Sequence, residues 1–456
     1  MFLKGLKFKN YFFQKQGQSL IEIIIGLAVG ALIIGGATFA IFAMLNTGVT
    51  LQKAQSASVL SQELLDEVRL IAGANWNDVY NLPTKGSSTP YYVVASGTNL
   101  LIVNGKESVF DNDVKNGLAG YWKLDEATSL IAYDSSGTGN NGMLAKDINA
   151  TSTPERYQGT TNCKAGGCLK FNGLLGYYAS GTLRQGNWVE VPYSDSLNIQ
   201  GPAITISLWI YPLAYPLDFS HLIRLNGYDY GYRLGLISNQ KLGFQLTGEK
   251  GYTLTTSSTI PLNKWSFVTA VLDPLTSTTS TMKIYINGEQ DPKIKDRPGN
   301  IDPVPSDQVF YIGVAPEYYV FDGYIDEARV YNRALSAAEV KKLYSGNIFS
   351  RYFYVDDICR ANDALTSIVG LPPCNGTILD PSTQKILVST EWFGQGKIGD
   401  VRLVDYLTRW ENYVFRQTDW SAGIGTSTPL KEPDRNFSTS SNIDFSNPGL
   451  IKLEGF

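Results

Sequence analysis

The sequence predicts an α+β chain: a long N-terminal helix, a small antiparallel sheet, and an all-β sandwich that interrupts the sheet. Three observations predict it. Ile23 to Leu45 is a run of 23 uncharged residues, and its apolar pattern continues at helical spacing beyond it. Strand-like segments occur at 91–110 and resume only at 349–410. Between them lie many short apolar or alternating runs separated by Gly-, Pro-, Asn- and Ser-rich turns, as in a sandwich or jelly roll.

The helix comes first. At about 1.5 Å per residue the uncharged run would span a bilayer core of roughly 30 Å. Lys4, Lys7, Lys9 and Lys15 precede it and no acid does. The run is too long for a secretory signal core, and no small-x-small cleavage site follows within Asn46–Lys53. A plain anchor leaves Glu22 unexplained, because a carboxylate deep in a membrane costs about 3 kcal/mol. Val59, Leu60, Leu64, Val68 and Ile71 then recur on one face, so the helix is expected to turn amphipathic and to end at Gly73.

The leader, the glycine before the core and the single acid resemble the class III leader of type IV pilins and type II secretion pseudopilins. The resemblance implies cleavage by a prepilin peptidase between Gly17 and Gln18, N-methylation of Gln18, and Glu22 as the assembly contact with neighbouring subunits. A carboxylate in a packed helical core needs a partner, and a neighbour's α-amino group would supply one. Gln18 departs from the Phe or Met usual at that position. The helix with its small sheet would then be a pilin spine and head.

Five segments follow: a leader (1–17), the helix and first strands (18–115), an inserted sandwich (116–348), the rest of the head (349–420) and an extended tail (421–456). Exposed loop tips accept such insertions. Within the insert, 335–346 alone reads as a helix, with Ser336 as cap and Glu339 at the capping-box position.

Composition fits an exported β-rich protein: 43% hydrophobic, 12% aromatic, 27 Tyr against 4 Met. A net charge of −4 gives no basis for nucleic-acid binding. Cysteines occur as two local pairs, Cys163 with Cys168 and Cys359 with Cys374, which outside a membrane read as disulfides. Zinc, the competing reading, needs converging ligands, and the chain has one histidine.

Several strings of the insert, in order, resemble the LamG-like jelly roll of the concanavalin A-like lectin/glucanase superfamily: GYWKLDE, DSSGTGNNG, LKFNG, WVEVPYSDSLNI, AITISLWIYP, KWSFVTAVLD, MKIYING and FDGYIDEARVYNRALSAAEVKKLY. The resemblance implies a structural Ca²⁺, with Asp125 and Asp326 as ligands and Asn172 of the FNG turn nearby. The loop Asp134–Gly142 is also oxygen-rich, although tight turns require the same residues.

Enzyme chemistry is not expected. His221 stands alone, no GxSxG elbow occurs, and the ExDxxE string of the related glucanases is missing. Asp125 and Glu126, like Asp326 and Glu327, are sequence neighbours and would point to opposite faces of a strand. Binding is expected instead, with Tyr228, Tyr230, Tyr232, Tyr318 and Tyr319 as candidate contacts for a glycan or surface protein.

The expected protein is a minor or tip-located pilin-like adhesive subunit. It would reside in the inner or cytoplasmic membrane before assembly and then on an extracellular filament or the cell surface. A pseudopilin with a cargo-binding insert and a monomeric membrane-anchored binding protein are the alternatives.

Overall fold

The computed structural model describes residues 20–409, less short segments at 97–98, 111–113, 147–149, 151, 160–161, 174–185, 217, 226–230, 247–251, 314–320, 347, 362–367, 376 and 395–396, together with 443–444 and 452–453. The chain divides into two compact units, Met1–Gln55 and Ser56–Phe456.

Leu20–Ala74 forms a helix of 55 residues. In the first unit its side chains, such as Leu27, Leu32, Ile33 and Phe39, are exposed. The expected bilayer span is not supported: among the described residues, no helix is long and apolar enough to cross a membrane. Gly17, Gln18 and the Glu22 side chain lie outside the described residues. So does most of the expected tail, of which Ile443–Asp444 and Lys452–Leu453 form a two-stranded pair.

The second unit corrects the fold class. Over the structure as a whole strand accounts for 48% and helix for 18%, and a seven-stranded sheet stands where a small one was expected, beside the two eight-stranded sheets of the sandwich. The physical reason is that the helix, although long, is a minor share of a chain whose remaining residues follow period-two patterning.

The first sheet has seven strands, in the order Asn99–Asn104, Tyr91–Ser96, Ile348–Arg360, Ile378–Gly394 and Lys397–Thr408, with Glu107–Phe110 and Ile368–Gly370 also on Ile348–Arg360. Leu64, Val68 and Ile71 of the helix pack on this sheet against Val93, Phe353 and Val388. Val59, expected on the same stripe, is exposed. Cys359 and Cys374 are disulfide-bonded with Cα atoms 5.5 Å apart.

Two eight-stranded sheets form the sandwich. One runs Glu289–Pro298, Thr279–Ile286, Ser266–Pro274, Ile204–Pro212, Gly323–Tyr331, Gly167–Phe171, Glu155–Gln158, with Leu118–Trp122 also on Gly323–Tyr331. The other runs Tyr252–Thr255, Leu242–Leu246, Tyr232–Ile237, Phe219–Leu225, Phe310–Ile312, Asn187–Val191, Gly142–Lys146, Ile131–Ala132. Strand alternation explains the core. Ile204, Ile206, Leu208 and Ile210 point inward to meet Leu234, Phe244 and Phe310 of the facing sheet. Outward, Trp209, Phe267 and Tyr331 are covered by Val340 and Leu343 of the helix Ala337–Ser345. That helix carries the full capping box between Ser336 and Glu339.

Candidate functional site

The acids expected to hold calcium are placed first. Asp125, Asp326 and Glu327 are fully buried. Asp125 Oδ1 accepts the Gly167 N–H at 2.6 Å, and Oδ2 accepts the Ser108 N–H and the Ser108 hydroxyl. Asp326 Oδ2 accepts the N–H groups of Lys164 and Ala165, each at 3.0 Å. The Lys164, Ala165 and Gly167 donors come from the CKAGGC loop, closed by the Cys163–Cys168 disulfide, so the loop is a backbone cradle for two carboxylates, while Ser108 reaches Asp125 from the strand Glu107–Phe110. Asn172 lies apart from both in its bonding: its N–H donates to Asn187 Oδ1, and its side chain faces Glu155 Oε1 at 3.5 Å.

Calcium needs six to eight oxygens with free lone pairs. Asp125 has both oxygens occupied by hydrogen-bond donors, and the three residues do not share a centre. Among the described residues, no cluster of three His, Cys, Asp or Glu side chains could hold a metal. The residues do not fit the ion that the resemblance implies. Glu327 instead accepts from Ser108 Oγ, Tyr121 Oη and Arg329 Nη2. Burial, and then mutual repulsion with Glu327, pushes the Asp125 and Asp326 carboxyls well above the usual range. Glu126 turns to different partners, Tyr133 N–H and Arg156.

The Asp134–Gly142 loop follows the turn reading. Asp134 Oδ1 accepts from Tyr121 N–H and Ser136 N–H, and Oδ2 from Ser136 Oγ, Thr138 Oγ1 and Asn140 N–H. The carboxylate holds the loop's shape. His221 is buried, and burial with the nearby Arg224 and Arg233 keeps its imidazole neutral.

Of the expected tyrosines, Tyr228, Tyr230, Tyr318 and Tyr319 lie outside the described residues. Tyr232 is a core residue: it is 1% exposed and donates its hydroxyl to Leu197 O at 2.9 Å.

The structure brings together a different aromatic set. Tyr211 sits two residues beyond Trp209 on the same outward face, in register with Tyr324 on the neighbouring strand. Their rings meet edge to face at 5.7 Å. Tyr157, two strands away, approaches Tyr324 at 5.3 Å, and Trp265 approaches Tyr211 at 5.6 Å. All four rings are partly exposed. The helix Ala337–Ser345 covers Trp209 and Phe267, and Trp265 borders that cluster. Lys170 is paired across strands with both Tyr324 and Glu155. The Tyr157 hydroxyl donates to Glu155 Oε2 at 3.2 Å. Beyond Tyr157 the row opens on a shallow groove of about 460 Å³ lined by Thr128, Thr153, Glu155 and Arg156 among others. Sequence reasoning missed this set because neighbouring members lie more than fifty residues apart along the chain. The one local signal is the aromatic pair at alternating positions in LWIYP, on a strand whose other side is wholly aliphatic.

Aromatic rings beside carboxylate and ammonium groups form a surface suited to sugar rings, whose apolar faces stack while their hydroxyls bond. The family described as the concanavalin A-like lectin/glucanases superfamily matches residues 183–341. The chain carries a domain of that kind. No curated protein matches the chain. Among solved structures, domain 4 of the arabinanase AbnA from Geobacillus stearothermophilus, in complex with arabinotriose, is 20% identical, covering 50% of this chain and 98% of that one with a TM-score of 0.38. The binding domain of botulinum neurotoxin serotype D/C is 14% identical over 63% of this chain and 74% of that one, with a TM-score of 0.37. The binding domain of Paraclostridial Mosquitocidal Protein 1 is 12% identical over 65% and 92%, with a TM-score of 0.37.

Proposed function

We propose that this chain is a surface-displayed, glycan-binding protein whose concanavalin A-like domain makes the contact, and that it binds without catalysis. The observation that carries the reading is the row Tyr157, Tyr324, Tyr211 and Trp265 on the outer sheet face. Half-buried rings are rigid and present apolar area at little entropic cost, while Lys170 and Glu155 supply hydrogen bonds. Asp125, Asp326 and Glu327 are sealed from solvent, so no substrate reaches them. The basic leader with Gly17, Gln18 and Glu22 supports display through a pilin-like route, on a filament or the cell surface. A glycan array probed with the full chain tests the binding. Wild type is expected to bind at least one glycan class and Tyr211→Ala to lose about tenfold in affinity. A wild type that binds nothing on the array contradicts the reading.

A further inference from the structure

We infer that the free edge of the first sheet, the strand Lys397–Thr408, pairs antiparallel with the same strand of a second copy of this chain. The inference is independent of the glycan-binding reading above.

A sheet edge recruits a strand from another chain unless shortness, proline, bulges or charge blunt it. The other end strands of the three large sheets are blunted. Glu289–Pro298 carries six charged residues and two prolines in ten, and its register with Thr279–Ile286 shifts between Lys283 and Tyr285. Tyr252–Thr255 and Glu155–Gln158 have four residues each, Ile131–Ala132 has two and Asn99–Asn104 has six. Lys397–Thr408 has twelve residues without proline, and its register with Ile378–Gly394 runs unbroken. Leu403 and Leu407 face the long helix, which leaves Val404 and Tyr406, 53% and 42% exposed, on the other face. No strand among the described residues pairs with the outer side of this one.

Backbone direction decides which residues meet a partner. Arg409 N–H donates to Ser382 O at 2.8 Å, on the Ile378–Gly394 side. By strand alternation the odd-numbered residues bond inward, and the N–H and C=O groups of Asp400, Arg402 and Val404 point out from the edge. The charge pattern supplies the partner. A two-fold axis at Val401 sets Asp400 opposite Arg402 and Lys397 opposite Asp405, each twice. Every charged residue of the strand then meets one of opposite sign, and outward-bonding residues stay opposite one another. Val404 falls opposite Ile398, apolar against apolar. Within one copy Asp400 and Arg402 already pair at 2.7 Å while their side chains stay exposed, so the contact can be exchanged between copies. An axis at Arg402 would oppose that residue to its own copy, and like charges placed so destabilise a pair of strands. A strand that is its own complement fits an isologous contact between two copies.

The test is site-directed cross-linking of the full chain in detergent. All four cysteines are disulfide-bonded, so one introduced cysteine is the one free thiol. At the axis, opposed residues that bond inward have Cα atoms about 4.5 Å apart, within disulfide reach. Val401→Cys should therefore oxidise to a covalent dimer on a non-reducing gel. Val404→Cys, about 20 Å from its copy in this register, should not. Adding Arg402→Glu to Val401→Cys should abolish the dimer band, and adding Asp400→Arg as well should restore it. Thermal midpoints of the variants check that the sheet is intact. No band from Val401→Cys, equal bands from both cysteine variants, or a band indifferent to Arg402→Glu overturns the inference. So does a band that forms only once residues 410–456 are removed, which would assign the edge to the chain's own tail.

Discussion

At the residue scale, Gly166 shows how tightly the disulfide loop is fitted to its acids. Its φ of +35° is in the left-handed region, and a β-carbon there would lie 2.2 Å from Asp125 Oδ1 and 2.5 Å from Lys106 O. Only glycine meets both conditions. Gly166→Ala should therefore destabilise the chain by more than about 1 kcal/mol in a urea titration, and unchanged stability would mean that the loop is not seated on Asp125. The cysteines of CKAGGC were readable as a pair. That the loop between them serves buried carboxylates was not, because Asp125 lies 42 residues from Gly167 along the chain. The same limit applies to the acids themselves. LDE and IDE are visible strings, but only the fold reveals that donors occupy both oxygens of Asp125 and one oxygen of Asp326. Tyr232, an expected contact, is a core wall for a comparable reason: the side of a strand that faces inward is set by the partner sheet.

At the scale of elements, the helix Ala337–Ser345 was legible because its signals are local. Ser336 Oγ accepts the Glu339 N–H, and the Glu339 carboxylate accepts the Ser336 N–H at 2.8 Å and pairs with Arg333 at 2.6 Å. Those bonds, the Arg333 bond foremost, lower the Glu339 carboxyl from 4.5 to about 2. The stabilisation is present above about pH 4.5 and is lost as pH falls through about 2. Ser336→Ala removes the cap and should cost about 1 kcal/mol at neutral pH, measured by thermal unfolding. A loss within experimental error would show that packing of Val340 and Leu343 alone holds the helix. The sheets were legible as strands but not as partners. Ile204–Pro212 pairs with Gly323–Tyr331 across more than a hundred residues, and it is this pairing that sets Tyr211 beside Tyr324.

At the scale of the whole second unit, charge joins the first sheet to the sandwich. Glu107 of the first sheet pairs with Arg351 on the neighbouring strand and, at 2.5 Å, with Lys123 of the sandwich. Arg351 also reaches Glu67 of the long helix at 3.5 Å. Burial raises the Glu67 carboxyl from 4.5 to about 7, against the pull of Arg351 and with repulsion from Glu107 and Glu63. Because the folded value is raised, this contribution is complete below about pH 4.5 and is lost as pH climbs through about 7, on the order of 3 kcal/mol in all. The thermal midpoint should fall between pH 5 and 8, and Glu67→Gln should flatten that fall; an unchanged profile in the variant would remove Glu67 as its cause. No such network is visible in the sequence, since its members come from four separated segments. The fold class was misjudged at this scale too: the short strands of the sandwich were expected, but one conspicuous helix outweighed them and the sheet beside it was taken as small where it has seven strands. The central claim is that the outer aromatic row binds glycan. It is tested most directly by a glycan array read with the full chain and with Tyr211→Ala. The account predicts a defined set of bound glycans whose signal falls about tenfold in the variant; equal binding by both proteins, or none by either, would contradict it.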